Sequence, residues 1–507
     1  MLNWLTWVYT AVLLVMAAYG LYMLLMAALA AGLWLAARRA NRPPAPAGPT
    51  DRAWPHVLVQ LPLYNERYVA ERLIDSVAAL DYPPARLTIQ VLDDSTDDTA
   101  ALARARAAYH RARGVNVDYR HRARRTGYKA GALAEGLRGS GAEFAAIFDA
   151  DFVPAPDFLR RALPAFDGQP RLALVQARWE HLNHARDALT QAEGLALDAY
   201  FGVEQFVRTR LGLLMNFNGS AGVWRRAAID DAGGWQADTL SEDLDLSFRA
   251  QLRGWRLTYL PHVGAPAELP TTLAAFKRQQ SRWAQGSFQV LRKLGRQLAR
   301  ARLPLWLRLQ GLISLSGYLP HPCMVLSLLL SLPVVLWGSE LPRAFGVVGL
   351  AGLGPLAMSV VGQMALRRDW PRRLLYLPAL MLLGIGLAVA NTQAAWLALA
   401  GGAGEFRRTP KAPAGAAGAY AIPLDWTTWA EAALAVYALV TGLLALTRAP
   451  GLAPMAFLYA LAFGVTAALG FWQSRGSPRR ARRRWTLGGA LPRARRRRPN
   501  PQTGAGD

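Results

Sequence analysis

The chain of 507 residues has a single cysteine, Cys323, inside an apolar segment, so neither an intramolecular disulfide nor a cysteine-built zinc site can form. Charge is also scarce: 18% charged residues against 52% hydrophobic ones is too apolar for a simple soluble enzyme, and the length exceeds one ordinary domain. Acidic residues are scarcer still, 34 against 58 basic, leaving a formal charge of +24. The basic excess gathers beside hydrophobic segments and in the tail RGSPRRARRRWTLGGALPRARRRR, a placement that fits anionic membrane lipid and not nucleic acid. The first strand-like segment is not followed by G-x-G-x-x-G, which removes a dinucleotide-binding reading.

What is present begins with an apolar run from Leu5 to Ala37, long enough to cross a bilayer. No charged region precedes it, and the basic cluster Arg38, Arg39 and Arg42 follows it. That order argues for a transmembrane helix over a signal peptide, with the amino terminus outside and the following residues cytoplasmic. The organisation expected is a transmembrane helix at 1–41, a Pro- and Ala-rich linker at 42–55, an α/β domain at 56–300, transmembrane and interfacial helices at 301–474, and a disordered basic cytoplasmic tail at 475–507. Past an amphipathic segment at Pro304–Arg308, apolar segments lie near 319–338, 343–365, 375–400, 427–447 and 452–472. If all five crossed, the basic tail would lie outside, against the positive-inside rule. The stretch 375–400, with Pro378, Gly384, Gly386, Asn391 and Gln393, is therefore expected not to span, its second half lying on the cytoplasmic face.

Within 56–300, strands are expected at His56–Leu61, Leu87–Leu92, Phe144–Phe148 and Leu172–Gln176. Helices follow the first through Leu80, the second over Thr96–Arg113, and occupy about Arg186–Arg210. Alternating strands and helices with acids at the carboxyl ends describe a doubly wound, Rossmann-like α/β domain. In FAAIFDADFVP, Asp149 and Asp151 follow a buried strand directly, where open α/β sheets bind ligands and where alternate carboxylates can grip a divalent cation that also holds phosphate oxygens. Taken alone, the same pair also reads as a capped strand-to-turn junction.

Asp93/Asp94, Asp149-x-Asp151, Glu242-Asp243 and Gln279-x-x-Arg282-Trp283, in that order and flanked by membrane helices, resemble the membrane-bound family 2 glycosyltransferases, most closely the cellulose-synthase-like glucan and mannan synthases. The resemblance covers nearly the whole chain and implies a GT-A fold. Pro62-x-Tyr64-Asn65-Glu66 looks like that family's first nucleotide loop, and Phe406-x-Arg408-Thr409-Pro410-Lys411 like its cytoplasmic gating loop. By this resemblance Pro62, Tyr64, Glu66, Asp93, Asp94, Lys129, Asp149 and Arg282 bind the nucleotide-sugar donor. Asp149 and Asp151 hold Mg²⁺ or Mn²⁺. Asn218, Gly219, Glu242, Gln279 and Trp283 bind the acceptor, and Asp243 is the base.

Each residue type suits its task. An inverting transfer needs one carboxylate to take the proton of the attacking hydroxyl, whereas a glycosidase needs two facing carboxylates. An indole offers a flat face for a sugar ring, and a guanidinium pairs with diphosphate oxygens. The family's T-E-D reads here as Ser241-Glu242-Asp243, which keeps the hydroxyl. The residues leave alternatives open: Asp93 and Asp94 as helix caps, Lys129 in the Gly127–Gly131 turn as a solvated surface lysine, Trp283 as an interfacial anchor, and the Phe406–Lys411 loop as a topology signal.

Three functions fit. The first is a processive β-glycan synthase in the bacterial-type plasma membrane, moving hexose from a UDP-glucose or GDP-mannose type donor to a growing polysaccharide. The second is a glycolipid synthase adding one sugar to a lipid acceptor. The third is a non-enzymatic protein whose basic tail binds membrane lipid. Nucleic acid is not an expected partner.

Overall fold

The computed structural model describes residues 3–39, 54–337, 349–401 and 424–475. The expected linker, tail and gating loop (Phe406, Arg408, Thr409, Lys411) therefore lie essentially outside the described residues. Helix α1, Asn3–Arg39, opens the chain. It is followed by a seven-stranded mixed sheet of strands β1 Val57–Leu63, β2 Leu87–Asp93, β3 Val117–His121, β4 Phe144–Ile147, β5 Leu172–His181, β6 Gly222–Arg225 and β7 Arg256–Ala267, in spatial order β3-β2-β1-β4-β6-β5-β7. Strand β6 runs antiparallel to both β4 and β5, and the other pairs are parallel.

The strand order follows from side-chain chemistry. Six of the seven residues of β1 and all four of β4 are buried, as expected of strands covered on both faces. Val57, Val59 and Leu61 of β1 pack on one face with Leu73, Ile74 and Val77 of helix α2, Ala70–Ala78. Leu58, Ala145 and Ile147 pack on the other with Leu133 of helix α4, Tyr128–Leu137, and with Trp224. Helix α3, Thr99–Arg111, also covers the first face. Short helix α5, Phe158–Ala162, precedes β5, and α6, Ala188–Ala199, runs through a π-turn at Tyr200–Gln205 into α7, Phe206–Leu211. Helices α8, Arg226–Asp231, and α9, Glu242–Leu252, precede β7. Helix α10, Leu273–Arg300, and α11, Leu305–Leu315, lead to the apolar helices.

Two expectations are corrected. Gly127 does turn, with φ 69°, but Lys129 belongs to the first turn of α4 and not to a free turn. Asp93 and Asp94 do not cap the next helix, which starts at Thr99 with Asp98 before it. Strands β3, β6 and β7 were not expected.

Among the described residues six helical stretches are long and apolar enough to cross a membrane: Trp4–Ala37, Pro320–Trp337, Gly349–Leu366, Trp370–Leu399, Trp426–Arg448 and Pro450–Ser474. Within them lie α12, Pro320–Trp337, and α13, Gly354–Leu366. The stretch expected to stay out of the bilayer is as long as a span, but it breaks after Gly386 into α14, Leu377–Gly386, and α15, Ala388–Leu399. Helix α15 packs along α10, where Ala395 and Ala398 meet Phe288. Helices α16, Trp426–Arg448, and α17, Ala453–Arg475, pack on each other as a hairpin. The α/β domain is fastened to the apolar helices by Asp198 of α6. Its buried carboxylate accepts hydrogen bonds from Gln363 Nε2 at 2.9 Å and from Arg367 Nε and Nη2, both at 2.8 Å.

Candidate active site

The carboxyl ends of β1, β2 and β4 open into one cleft. From the residues singled out in the sequence, Pro62, Tyr64, Glu66, Asp94, Lys129, Asp149 and Asp151 line it on the sheet side. Asn218, Gly219, Glu242, Asp243, Gln279, Arg282 and Trp283 line it on the helix side. Asp93 is the exception among the described residues. It is fully buried below the cleft, accepting from Tyr119 Oη at 2.7 Å and from the Ser95 amide at 2.8 Å, so it shapes the turn that carries Asp94.

Asp94 is held by a residue that sequence reasoning missed. Arg122 donates from Nε to Oδ1 at 2.7 Å and from Nη2 to Oδ2 at 2.6 Å, a two-point pairing with good geometry. Arg125 lies 3.5 Å from the ring centroid of Tyr64, and both line the cleft. The basic run Arg120–Arg125 between β3 and α4 was the available signal. Trp179 was also missed. Its Nε1 donates to the Ser220 carbonyl at 3.2 Å and its ring meets Phe152 edge-on, so it joins the Asp151 turn to the Asn218–Ser220 loop.

Lys129 is not a solvated surface lysine. Its Nζ donates to Asp149 Oδ1 at 2.5 Å and to the Gly219 carbonyl at 2.8 Å, with Glu242 Oε1 at 3.8 Å. Burial pulls its pKa down, but Asp149, Glu242 and Asp243 outweigh burial and hold it above its ordinary value, so it stays charged. Asp243 stands in the opposite situation. Burial first and the Glu242 carboxylate second push it up to about 7, against the partial opposition of Lys129 and of the Leu244 amide, which donates to Oδ1 at 2.8 Å. A carboxylate so placed can accept a proton near neutral pH.

Backbone and glycine choices hold these groups together. Gly219 adopts φ +85°, and a Cβ there would lie 2.8 Å from Asp243 Oδ2. Gln205 Nε2 donates to Asn218 Oδ1 at 2.8 Å, while Asn218 Nδ2 donates to Tyr200 Oη at 3.1 Å, so the π-turn orients the Asn218 amide. A Cβ on Gly286 would lie 2.0 Å from Ser241 Oγ, which lets the start of α9 sit directly on α10.

Among the described residues no group of three or more His, Cys, Asp or Glu side chains forms a metal cage. Asp149 and Asp151 instead supply two alternate carboxylates at the cleft, and this donor set fits Mg²⁺ or Mn²⁺, which bind through one or two carboxylates, water and substrate phosphates.

Known proteins resemble the chain over this region. The family described as Glycosyl transferase family 2 matches residues 59–230, and Glycosyl transferase family group 2 matches residues 145–339. Glucomannan 4-beta-mannosyltransferase 2 of Arabidopsis thaliana is 42% identical over 303 residues, 56% of this chain and 57% of its own. Glucomannan 4-beta-mannosyltransferase 1 of Oryza sativa subsp. japonica is 44% identical over 259 residues, 50% of each chain. The chain thus spans about half the length of the curated relatives it matches. A solved structure of a mannosyltransferase from Pyrobaculum calidifontis, in complex with GDP-Man and Mn²⁺, is 20% identical and covers 76% of this chain and 99% of its own at a TM-score of 0.48. With its seven-stranded mixed sheet and its cleft of strand-end carboxylates, the segment 59–339 belongs to the family 2 glycosyltransferases.

Proposed function

We propose that this chain is an inverting hexosyltransferase that extends a β-linked polysaccharide from a nucleotide diphosphate sugar. The observation that carries the reading is the meeting of Asp149, Asp151, Asp243, Gln279, Arg282 and Trp283 in one cleft, although they lie on β4 and its following turn, α9 and α10. The names of the relatives favour mannose over glucose as the transferred sugar.

In the mechanism that follows, Tyr64, Glu66 and Asp94 hold the nucleoside, with Arg122 exchanging its present pairing or sharing Asp94 with the donor. Arg282 and the charged Lys129 face the diphosphate. Asp149 and Asp151 would hold Mg²⁺ or Mn²⁺, which supplies positive charge to the departing diphosphate. Trp283 carries the terminal sugar of the acceptor on its indole face, and Gln279 orients it by hydrogen bonding. Asp243 takes the proton of the acceptor hydroxyl as that oxygen bonds to the anomeric carbon. The carbon's bond to the phosphate oxygen breaks on the opposite face, so configuration inverts. The raised pKa of Asp243 keeps it a competent base near neutral pH.

The six long apolar helical stretches among the described residues support membrane residence, and Arg38 and Arg39 at the carboxyl end of α1 support a cytoplasmic cleft. The packing of α15 on α10 supports an interfacial position for that helix. Incubation of the purified full chain with radiolabelled GDP-mannose or UDP-glucose, followed by sizing and linkage analysis, tests the reading. A long β-linked product is expected. A single sugar on lipid would assign the glycolipid alternative instead.

A further inference from the structure

Helix α10 has two working faces. Gln279, Arg282 and Trp283 line the cleft. Lys277 lies on the other side, because at 3.6 residues per turn positions 277, 281 and 284 share a face roughly opposite 279, 282 and 283. From that second face Lys277 Nζ reaches Glu431 of α16, 2.6 Å from Oε1 and 2.5 Å from Oε2. Glu431 is 0% exposed and Lys277 9% exposed, and Glu431 sits in a stretch long and apolar enough to span a membrane. Near the start of α10 the Leu273 amide donates to Gln473 Oε1 of α17 at 3.1 Å, so the same hairpin grips the helix twice.

A buried ion pair is a poor device for stability alone, because apolar side chains of similar volume do as well without the desolvation cost. Ionisable residues inside membrane-spanning segments are rare for the same reason and usually mark function. What an ion pair adds is direction: apolar faces slide past one another at little cost, whereas a lysine held by both oxygens of one carboxylate fixes the helix at one axial position.

We propose that Lys277 and Glu431 are positioning residues that lock α10 to the α16–α17 hairpin, so that the acceptor end returns to the same place beside Asp243 after each sugar is added. This rests on the polysaccharide-extending function above. The donor-side carboxylates Asp94, Asp149 and Asp151 lie at the ends of the sheet strands and do not pass through the clamp. Of the donor contacts only Arg282 rides on α10, so loss of the clamp shortens products while donor binding through these carboxylates persists.

The test uses the full chain in lipid nanodiscs, comparing Lys277→Met, Glu431→Gln, the apolar pair Lys277→Met/Glu431→Met and the reversed pair Lys277→Glu/Glu431→Lys. Each single variant is expected to raise amide hydrogen exchange over residues 277–284 by about tenfold while β1 and β2 keep their protection, since local opening reports the lost contact. Products from radiolabelled GDP-mannose shorten several-fold, the metal-dependent part of donor binding is kept, and the reversed pair restores both length and protection. Wild-type exchange and product length in the single variants would overturn the proposal. So would an apolar pair that matches wild type in both, since packing alone would then suffice. If single variants fail to fold, the apolar and reversed pairs decide between packing and charge. If the wild type makes no glycan, the polysaccharide function fails, while the exchange measurements still decide the clamp.

Discussion

Gly219 offers a perturbation whose two consequences can be separated. At φ +85° an L-residue is strained by about 1–2 kcal/mol, and the added methyl of Gly219→Ala would meet Asp243 Oδ2 at 2.8 Å, well inside ordinary contact, and Lys129 Nζ at 3.5 Å. The strain lowers thermal stability by about 2–4 °C per kcal/mol for a domain of this size. The clash must move either the loop or the base, and displacements of this order cost about 10- to 100-fold in turnover when they disturb a near-attack geometry. Gly168 is the control: it has φ +63° and nothing within 4 Å of a built Cβ, so Gly168→Ala carries the strain without touching the site. Initial rates with saturating nucleotide sugar, donor affinity by calorimetry and melting curves would be measured for both. Gly219→Ala is expected to lose stability and turnover but keep donor affinity, and Gly168→Ala to lose stability alone. Equal turnover in the two variants would refute the placement of Asp243 against the Asn218–Ser220 loop.

Other outcomes follow from the same geometry. Asp151→Ala should abolish the dependence of donor binding on Mg²⁺ or Mn²⁺, and unchanged affinity with and without metal would argue against its role. Because Asp243 is pushed up to about 7, it gains a proton as pH falls through that value, so kcat/KM should drop about tenfold per unit below it and level off above. An acidic limb left at the ordinary carboxylate range would contradict this. If the segment Phe406–Lys411, outside the described residues, gates the cleft as its resemblance implies, Thr409→Ala combined with Phe406→Ala should slow turnover in a correctly inserted protein; no change would reassign the segment to membrane topology.

Much of the sheet side of the cleft was legible in the sequence because it follows buried strands directly. Val57–Leu63 and Phe144–Ile147 are apolar runs that end in Tyr64-Asn65-Glu66 and Asp149-x-Asp151, and neither needs distant contacts to be read. Strand β7 escaped because Pro261, Gly264 and Pro266 punctuate Arg256–Ala267. As an edge strand, shifting register against β5 at Ala177/Arg178, it tolerates prolines that a central strand would not. Strand β3, VDYRH, is polar because it is the other edge, and β6 has only four residues. Arg122 and Trp179 were hidden for a different reason. Nothing local says which arginine of Arg120–Arg125 turns toward Asp94, nor that Trp179 crosses to Ser220, since both contacts depend on the folded sheet. The Lys277–Glu431 pair joins residues 154 apart and could not be read from either neighbourhood.

The central claim is that one carboxylate, Asp243, serves as base for transfer from a nucleotide sugar held by the strand-end acids. It is tested most directly by comparing wild type with Asp243→Asn in the purified full chain, measuring both labelled-sugar incorporation from GDP-mannose and binding of the nucleotide. The expected result is a loss of incorporation of about 10²- to 10⁴-fold with nucleotide affinity nearly unchanged. Incorporation at the wild-type rate by Asp243→Asn would contradict the account.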